Sequence, residues 1–189
     1  MSFEKSLNVG RVAEGAIAKW AMSRGAYVMP AYEIAENQYK GPQFFSEESG
    51  FVAPDMLVFA KDKQLWIEAK HKTVFTWHRN TSRWTTGIDI HHYNEYKRVS
   101  ELSRLDVWIL FLHRESTPNA RDIFNGCPDK CPVGLFGGEI AYLAKHENHR
   151  SRPLSTNATQ LGHGKSGMVY WASDKLTKLA TVEEVYGDG

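Results

Sequence analysis

The chain has 189 residues, 42% of them hydrophobic and 24% charged, which suits one domain with a full apolar core. A net charge of +1 argues against an overall basic nucleic-acid-binding surface, but a local basic groove can cancel against an acidic site. No run is long and apolar enough to span a membrane, the N-terminus has no signal-peptide pattern, and two cysteines make no disulfide framework. A cytoplasmic protein without a membrane partner is therefore expected.

Residues 8–24 are predicted as the first helix, with Val12, Ala13, Ala16, Ile17 and Trp20 as its apolar face and Gly25 as its stop. Residues 26–34 follow as a strand, in which Pro30 implies an edge position or a bend. The polar stretch 36–50 contains Gly41-Pro42 and reads as a loop, with Gln43, Phe44 and Phe45 packing beneath it or, as the alternative to core packing, facing substrate. Residues 52–60 and 65–70 are two runs rich in Val, Ile, Phe and Trp around a short polar link, the pattern of a β-hairpin.

Each arm of that hairpin carries charge where a buried strand should be apolar. Asp55 lies at the start of one arm, and Glu68 and Lys70 end the other. Residues two apart on a strand share a face, so folding gathers two carboxylates and an ammonium at one end of the pair. Close carboxylates repel, and a divalent cation with hard oxygen ligands relieves the repulsion. The bland alternative is a surface hairpin whose end carries solvated charges.

Pro54-Asp55 followed by Glu68-Ala69-Lys70 after a hairpin-length gap resembles the PD-(D/E)xK nuclease superfamily, which includes Holliday-junction-resolvase-like and phage-type nucleases. The resemblance implies a restriction-endonuclease-like fold and Asp55, Glu68 and Lys70 as catalytic residues. It implies Mg²⁺ or Mn²⁺ held by Asp55, Glu68 and the Ala69 carbonyl. Such nucleases often carry a glutamate on the first helix, and the helix–Gly–strand pattern over residues 10–25 resembles that arrangement. Glu14 is the matching position, either as an auxiliary ligand or as a solvated helix glutamate.

His71 and Lys72 continue the strand with positive charge. Residues 73–87 show no helical or strand period and are predicted to be irregular. They interleave Trp77 and Trp84 with His78, Arg79 and Arg83. Arginine binds phosphate as a fork and indoles stack on unpaired bases, so Lys72, Trp77, Arg79, Arg83 and Trp84 are candidate substrate contacts. Tryptophans pinned into the core are the alternative. Residues 88–105 form a predicted helix burying Tyr93, Tyr96, Val99 and Leu102. His92 and Tyr96 are four apart on one face. Several groups of the superfamily carry Gln-xxx-Tyr on the equivalent helix, so the resemblance makes both residues substrate candidates, with His92 in place of Gln. Lys97 and Arg98 read equally as phosphate contacts or a solvated face. Residues 106–112 (Asp-Val-Trp-Ile-Leu-Phe-Leu) are apolar throughout after Asp106, as in a central strand buried on both faces.

This element order is similar to a restriction-endonuclease-like core over about residues 8–113. The expected architecture is a single α/β domain, 1–189, whose mixed central sheet is flanked by helices and extended by a loop-rich region 114–189. Cys127, Cys131, His146 and His149 have ligand types that suit zinc, but Cys-x3-Cys and His-x2-His are not the usual pairs, and a strand is predicted at 139–144. Two free thiols are the preferred reading over a structural Zn²⁺. Gly162-His-Gly-Lys-Ser166 mimics a phosphate loop, but Thr159 stands where its first glycine is required, so no nucleotide cofactor is expected. Residues 168–172 are predicted as a strand. A last helix is expected, capped by Ser173 or Asp174 and burying Leu176, Leu179 and Ala180.

The resulting expectation is a metal-dependent nuclease acting on DNA, in repair, restriction or recombination in a bacterial or phage-infected cell. Kept beside it are a non-catalytic DNA- or protein-binding module on the same fold, and a junction resolvase, which would act as a homodimer.

Overall fold

The computed structural model describes residues 3–31, 43–45, 50–151 and 167–187; the side chains of 3–10, Gln43 and Phe45 and the phosphate-loop mimic at 162–166 lie outside this set. In chain order the elements are α1 (Phe3–Ser23), β1 (Tyr27–Pro30), β2 (Gln43–Phe45), β3 (Gly50–Val52), β4 (Met56–Phe59), β5 (Gln64–Lys72), β6 (Thr76–His78), β7 (Arg83–Asp89) and α2 (Ile90–Ser103). Then come β8 (Asp106–His113), α3 (Ala120–Phe124), β9 (Gly134–Glu139), α4 (Ile140–Lys145), β10 (His149–Arg150), β11 (Met168–Ala172), β12 (Thr177–Ala180) and α5 (Val182–Tyr186).

The architecture is mixed α/β, as expected. A six-stranded sheet runs β1-β4-β5-β8-β9-β12. Its pairs are antiparallel except β5 with β8, which are parallel. The long path from β5 through α2 to β8 is what a parallel pair requires. β1 lies at the edge, where Pro30 costs no ladder bond. β8 is interior and sends residues both ways. Val107, Ile109 and Phe111 join Trp66, Tyr93, Tyr96 and Val99 on the α2 face, while Leu110 and Leu112 join Ala13, Ala16 and Ile17 on the α1 face.

A second, four-stranded sheet runs β10-β11-β7-β6. Although β6 and β10 are its two edges, His78 stacks on His149 with centroids 3.7 Å apart, and Thr81 bonds to Asn148 at 3.2 Å. The sheet is rolled until its edges meet.

Several predicted features are corrected. Val12 and Leu102 are 61% and 65% exposed. Each lies just off the stripe its helix buries, which is Ala13, Ala16 and Ile17 in α1 and Tyr93, Tyr96 and Val99 in α2. The stretch 73–87 is not irregular but forms the β6–β7 hairpin. Its period is hidden because Trp84, Thr85, Thr86, Gly87 and Ile88 are all buried, so no apolar–polar alternation is needed. Residues 140–145 are helical, not extended, with Ile140 and Leu143 buried one turn apart. The strand lies just before them, in the glycine-rich 134–139. There Gly137 is needed because a Cβ would overlap the Leu110 side chain and lie 3.0 Å from the Ile109 carbonyl. The C-terminal helix starts after β12, capped by Thr181 in a capping box with Glu184. Region 114–189 is richer in structure than expected, since β9 and β12 extend the central sheet and β10 and β11 build the second.

Candidate active site

The β4–β5 register pairs Met56 with Ile67, and one further step sets Asp55 opposite Glu68. Opposed residues of an antiparallel pair share a face. Asp55 is pinned there, because its Oδ2 accepts a 2.8 Å hydrogen bond from the Ala69 backbone N–H. That bond fixes the carboxylate across the strand pair and accounts for a proline–aspartate pair at the mouth of the hairpin.

Glu68 is 1% exposed, deep in the central sheet. Its Oε1 forms an ion pair with Lys70 Nζ, and among the described residues its buried Oε2 has no well-formed hydrogen bond. From α2, the Tyr96 hydroxyl lies against the same carboxylate. Period-two geometry therefore sends Glu68, Lys70 and Lys72 toward α2, while Leu65, Ile67 and Ala69 pack toward α1.

The titration behaviour reflects this crowding. Burial, then the Glu68 charge, hold the Asp55 carboxyl well above the ordinary carboxylate range; Lys70 and the Ala69 N–H oppose them. Burial and then Glu68 also raise Glu14, so the α1 glutamate shares the field of the same group. Burial alone would lower Lys70, but Glu68 and Asp55 outweigh it and hold the ammonium charged. Lys72 has no such partner; burial and the neighbouring Lys70 pull it down to about 8. Burial and Lys70 lower His92, which is then a neutral imidazole near neutral pH.

The fold thus brings together Asp55, Glu68, Lys70 and Ala69, with Glu14, Lys72, His92 and Tyr96 in the same electrostatic neighbourhood. It does not bring the remaining substrate candidates there as a set. Trp77 and Trp84 form a cross-strand pair 5.1 Å apart. Trp84 is 8% exposed and belongs to the core. Arg83 pairs with Asp174. Trp77 and Arg79 line a cleft of about 640 Å³ between the rolled sheet and α3, together with His78, His149, Tyr170 and Arg121. Sequence reasoning did not single out Tyr170 and Arg121, because only the pairing of β11 with β7 and the return of α3 place them there.

The donor set suits a hard cation. Two carboxylates are available, one with a buried oxygen that has no well-formed hydrogen bond among the described residues, and Mg²⁺ is commonly held by one or two carboxylates with water and phosphate oxygens. Among the described residues no three His, Cys, Asp or Glu side chains converge as a metal cluster. The Cys127, Cys131, His146 and His149 set is likewise dispersed. Cys131 Sγ bonds to the Glu115 carbonyl, the His146 ring lies 4.2 Å from Tyr142, and His149 is held in a ring stack. No helix among the described residues is long and apolar enough to cross a membrane.

No family model and no curated protein matches the sequence. Among solved structures, the chain is similar to that of Archaeoglobus fulgidus Hjc, a Holliday junction resolvase from an archaeal hyperthermophile. The TM-score is 0.46 and the identity 8%, with 94% of this chain and 100% of that chain covered. A likeness of that degree carries no weight for the chemistry.

Proposed function

We propose that the protein is a divalent-metal-dependent nuclease of the PD-(D/E)xK type, acting on DNA. The observation that carries this reading is the juxtaposition of Asp55, Glu68 and Lys70 on one strand pair, with a buried Glu68 oxygen that has no well-formed hydrogen bond among the described residues. An orphaned buried carboxylate oxygen costs stability unless a ligand completes it. Asp55 and Glu68, with the Ala69 carbonyl and Glu14 beside them, would hold Mg²⁺ or Mn²⁺. When bound, such an ion polarises the scissile phosphate and acidifies its water.

The chain's own groups supply the rest. The Ala69 N–H fixes the Asp55 carboxylate, so its second oxygen is oriented without reorganisation at the moment of reaction. Lys70 remains protonated against two carboxylates, so its role is to stabilise charge developing on phosphate and to orient the attacking water, not to abstract a proton. Lys72, more easily deprotonated, and the neutral His92 lie near the same charges and are the candidates to meet the substrate backbone. The test is cleavage of labelled linear, circular, single-stranded and branched DNA with Mg²⁺ or Mn²⁺. Activity should be lost in Asp55→Asn and Lys70→Met, and cleavage unchanged in both would refute the mechanism.

A second reading, a nucleic-acid-binding module without catalysis, is favoured by one observation: the Lys70 ammonium already neutralises Glu68, and among the described residues no third ligand converges. Calorimetry separates the two. Mn²⁺ binding abolished by Glu68→Gln supports the nuclease, and no binding by the parent protein supports the module.

A further inference from the structure

The carboxylate site leaves unexplained the cleft between the rolled sheet and α3. Three rings stand in a parallel column on its lining. His78 and His149 are 3.7 Å apart at 7°, and His149 and Tyr170 are 4.4 Å apart at 5°. They come from β6, β10 and β11, so the column exists only because the sheet closes on itself.

Hydrogen bonds lock the column. The Thr81 hydroxyl donates to Asn148 Oδ1 at 3.2 Å and must therefore accept from His78 Nδ1 at 2.8 Å. Asn148 Oδ1 also accepts from His149 Nδ1 at 2.8 Å. In each ring Nδ1 carries a proton on the column's side of these bonds, and the Nε2 edge of His149 faces away from them. Burial and the neighbouring His78 push His149 down to about 4, so this ring stays uncharged near neutral pH.

Across the cleft, α3 presents Phe124, 91% exposed, beside the exposed Arg121. Arg79 stands on the opposite wall. Among the described residues neither arginine has a carboxylate partner. A large apolar ring left in solvent, a preformed ring column and two guanidinium groups without a carboxylate partner among the described residues complement one chemistry: a planar heteroaromatic base joined to phosphate.

We propose that this cleft holds an unpaired nucleotide of a nucleic-acid strand, its base against Phe124 and the ring column and its phosphates against Arg79 and Arg121. A duplex keeps its bases stacked on one another and cannot offer their faces to these rings. The inference deepens the nuclease reading by naming a single-stranded segment, as at an end, a flap or a branch, as the feature the protein grips. It rests on that reading only for the identity of the ligand as a substrate, not for the binding itself.

The test is fluorescence polarisation of a short labelled oligothymidylate in EDTA, where no cleavage occurs, against a duplex of the same length. Phe124→Ala and Arg121→Ala change exposed side chains, so the fold is retained. Phe124→Ala should weaken single-strand binding about tenfold, the order of one lost base stack, with little effect on duplex. Arg121→Ala should lessen the slope of log affinity against log salt by about 0.7, one single-strand phosphate contact. No measurable single-strand binding by the parent, binding within twofold of the parent in both cleft variants, or equal losses on duplex and single strand would each overturn the proposal. Because the readout is binding without metal, the nuclease reading can fail while the cleft stands, and the reverse.

Discussion

Replacing Lys70 by methionine strands a buried charge, and the cost follows from the geometry. Glu68 is 1% exposed, its Oε1 is paired to Lys70, and among the described residues its Oε2 has no well-formed hydrogen bond. Breaking a buried ion pair by removing one member costs about 3–5 kcal/mol, because the survivor is left uncompensated. The Lys70 side chain keeps 29% exposure, so water can partly replace the ammonium and the lower end, about 3 kcal/mol, applies. For a domain of this size each kcal/mol moves Tm by about 2–4 °C, so a fall of about 6–12 °C is expected in EDTA. Adding Glu68→Gln removes the stranded charge, and the double variant should regain most of the loss. Mn²⁺ should also restore part of it in Lys70→Met, since the ion supplies the missing positive charge. Urea denaturation of the parent, both single variants and the double variant closes the cycle. A cost below about 1 kcal/mol, or a double variant no more stable than Lys70→Met, would show that the two groups are screened by solvent, and the case for a cation pocket would go with it.

Two further outcomes are expected. The Asp55 carboxyl is raised in the folded state, so above its ordinary value of 3.8 the folded protein binds protons more tightly than the unfolded chain, and stability in EDTA should fall as pH rises through that window. Asp55→Asn should flatten this dependence and abolish thermal stabilisation by Mn²⁺; an unchanged pH profile in urea titrations would contradict the assignment. The second concerns His113, fully buried and stacked 3.7 Å from Phe75, with neither ring nitrogen in a well-formed hydrogen bond among the described residues. Burial, and then Lys72, depress it to about 3, so its neutral form supports folding above 6.5 and that support is lost as pH falls toward 3. His113→Phe keeps the ring stack, removes the titration and should be more stable than the parent in mildly acidic buffer; equal acid sensitivity in calorimetric scans would refute the reasoning.

The parts of the protein legible in the sequence were those governed by short-range periodicity. Two apolar runs around a polar link specified the β4–β5 hairpin, and the two-residue repeat placed Glu68 and Lys70 on one face. Unbroken apolarity from Val107 to Leu112 marked an interior strand, and β8 occupies that place. Proline at position 30 pointed to an edge position or a bend, and pairing places its strand at the sheet edge, where the missing N–H breaks no ladder. The capping box at Thr181 and Glu184 was also legible as a T-x-x-E signal, but the apolar run before it was read as the helix.

What remained hidden depended on distant partners. Residues 134–139 look like a loop, and only the packing of Gly137 against Leu110 and Ile109 explains a strand so rich in glycine. Residues 73–87 show no alternation, since burial of every residue from Trp84 to Ile88 erases the contrast that a periodic reading needs. The ring column of His78, His149 and Tyr170 draws on side chains up to 92 positions apart, counted from residue 78 to residue 170. The sequence by itself determined which local segments fold and which charges share a strand face. Tertiary structure alone decided that a four-stranded sheet would roll edge to edge and set a cleft beside α3, because closure is a property of strand pairing over long separations and leaves no mark on any single stretch of chain.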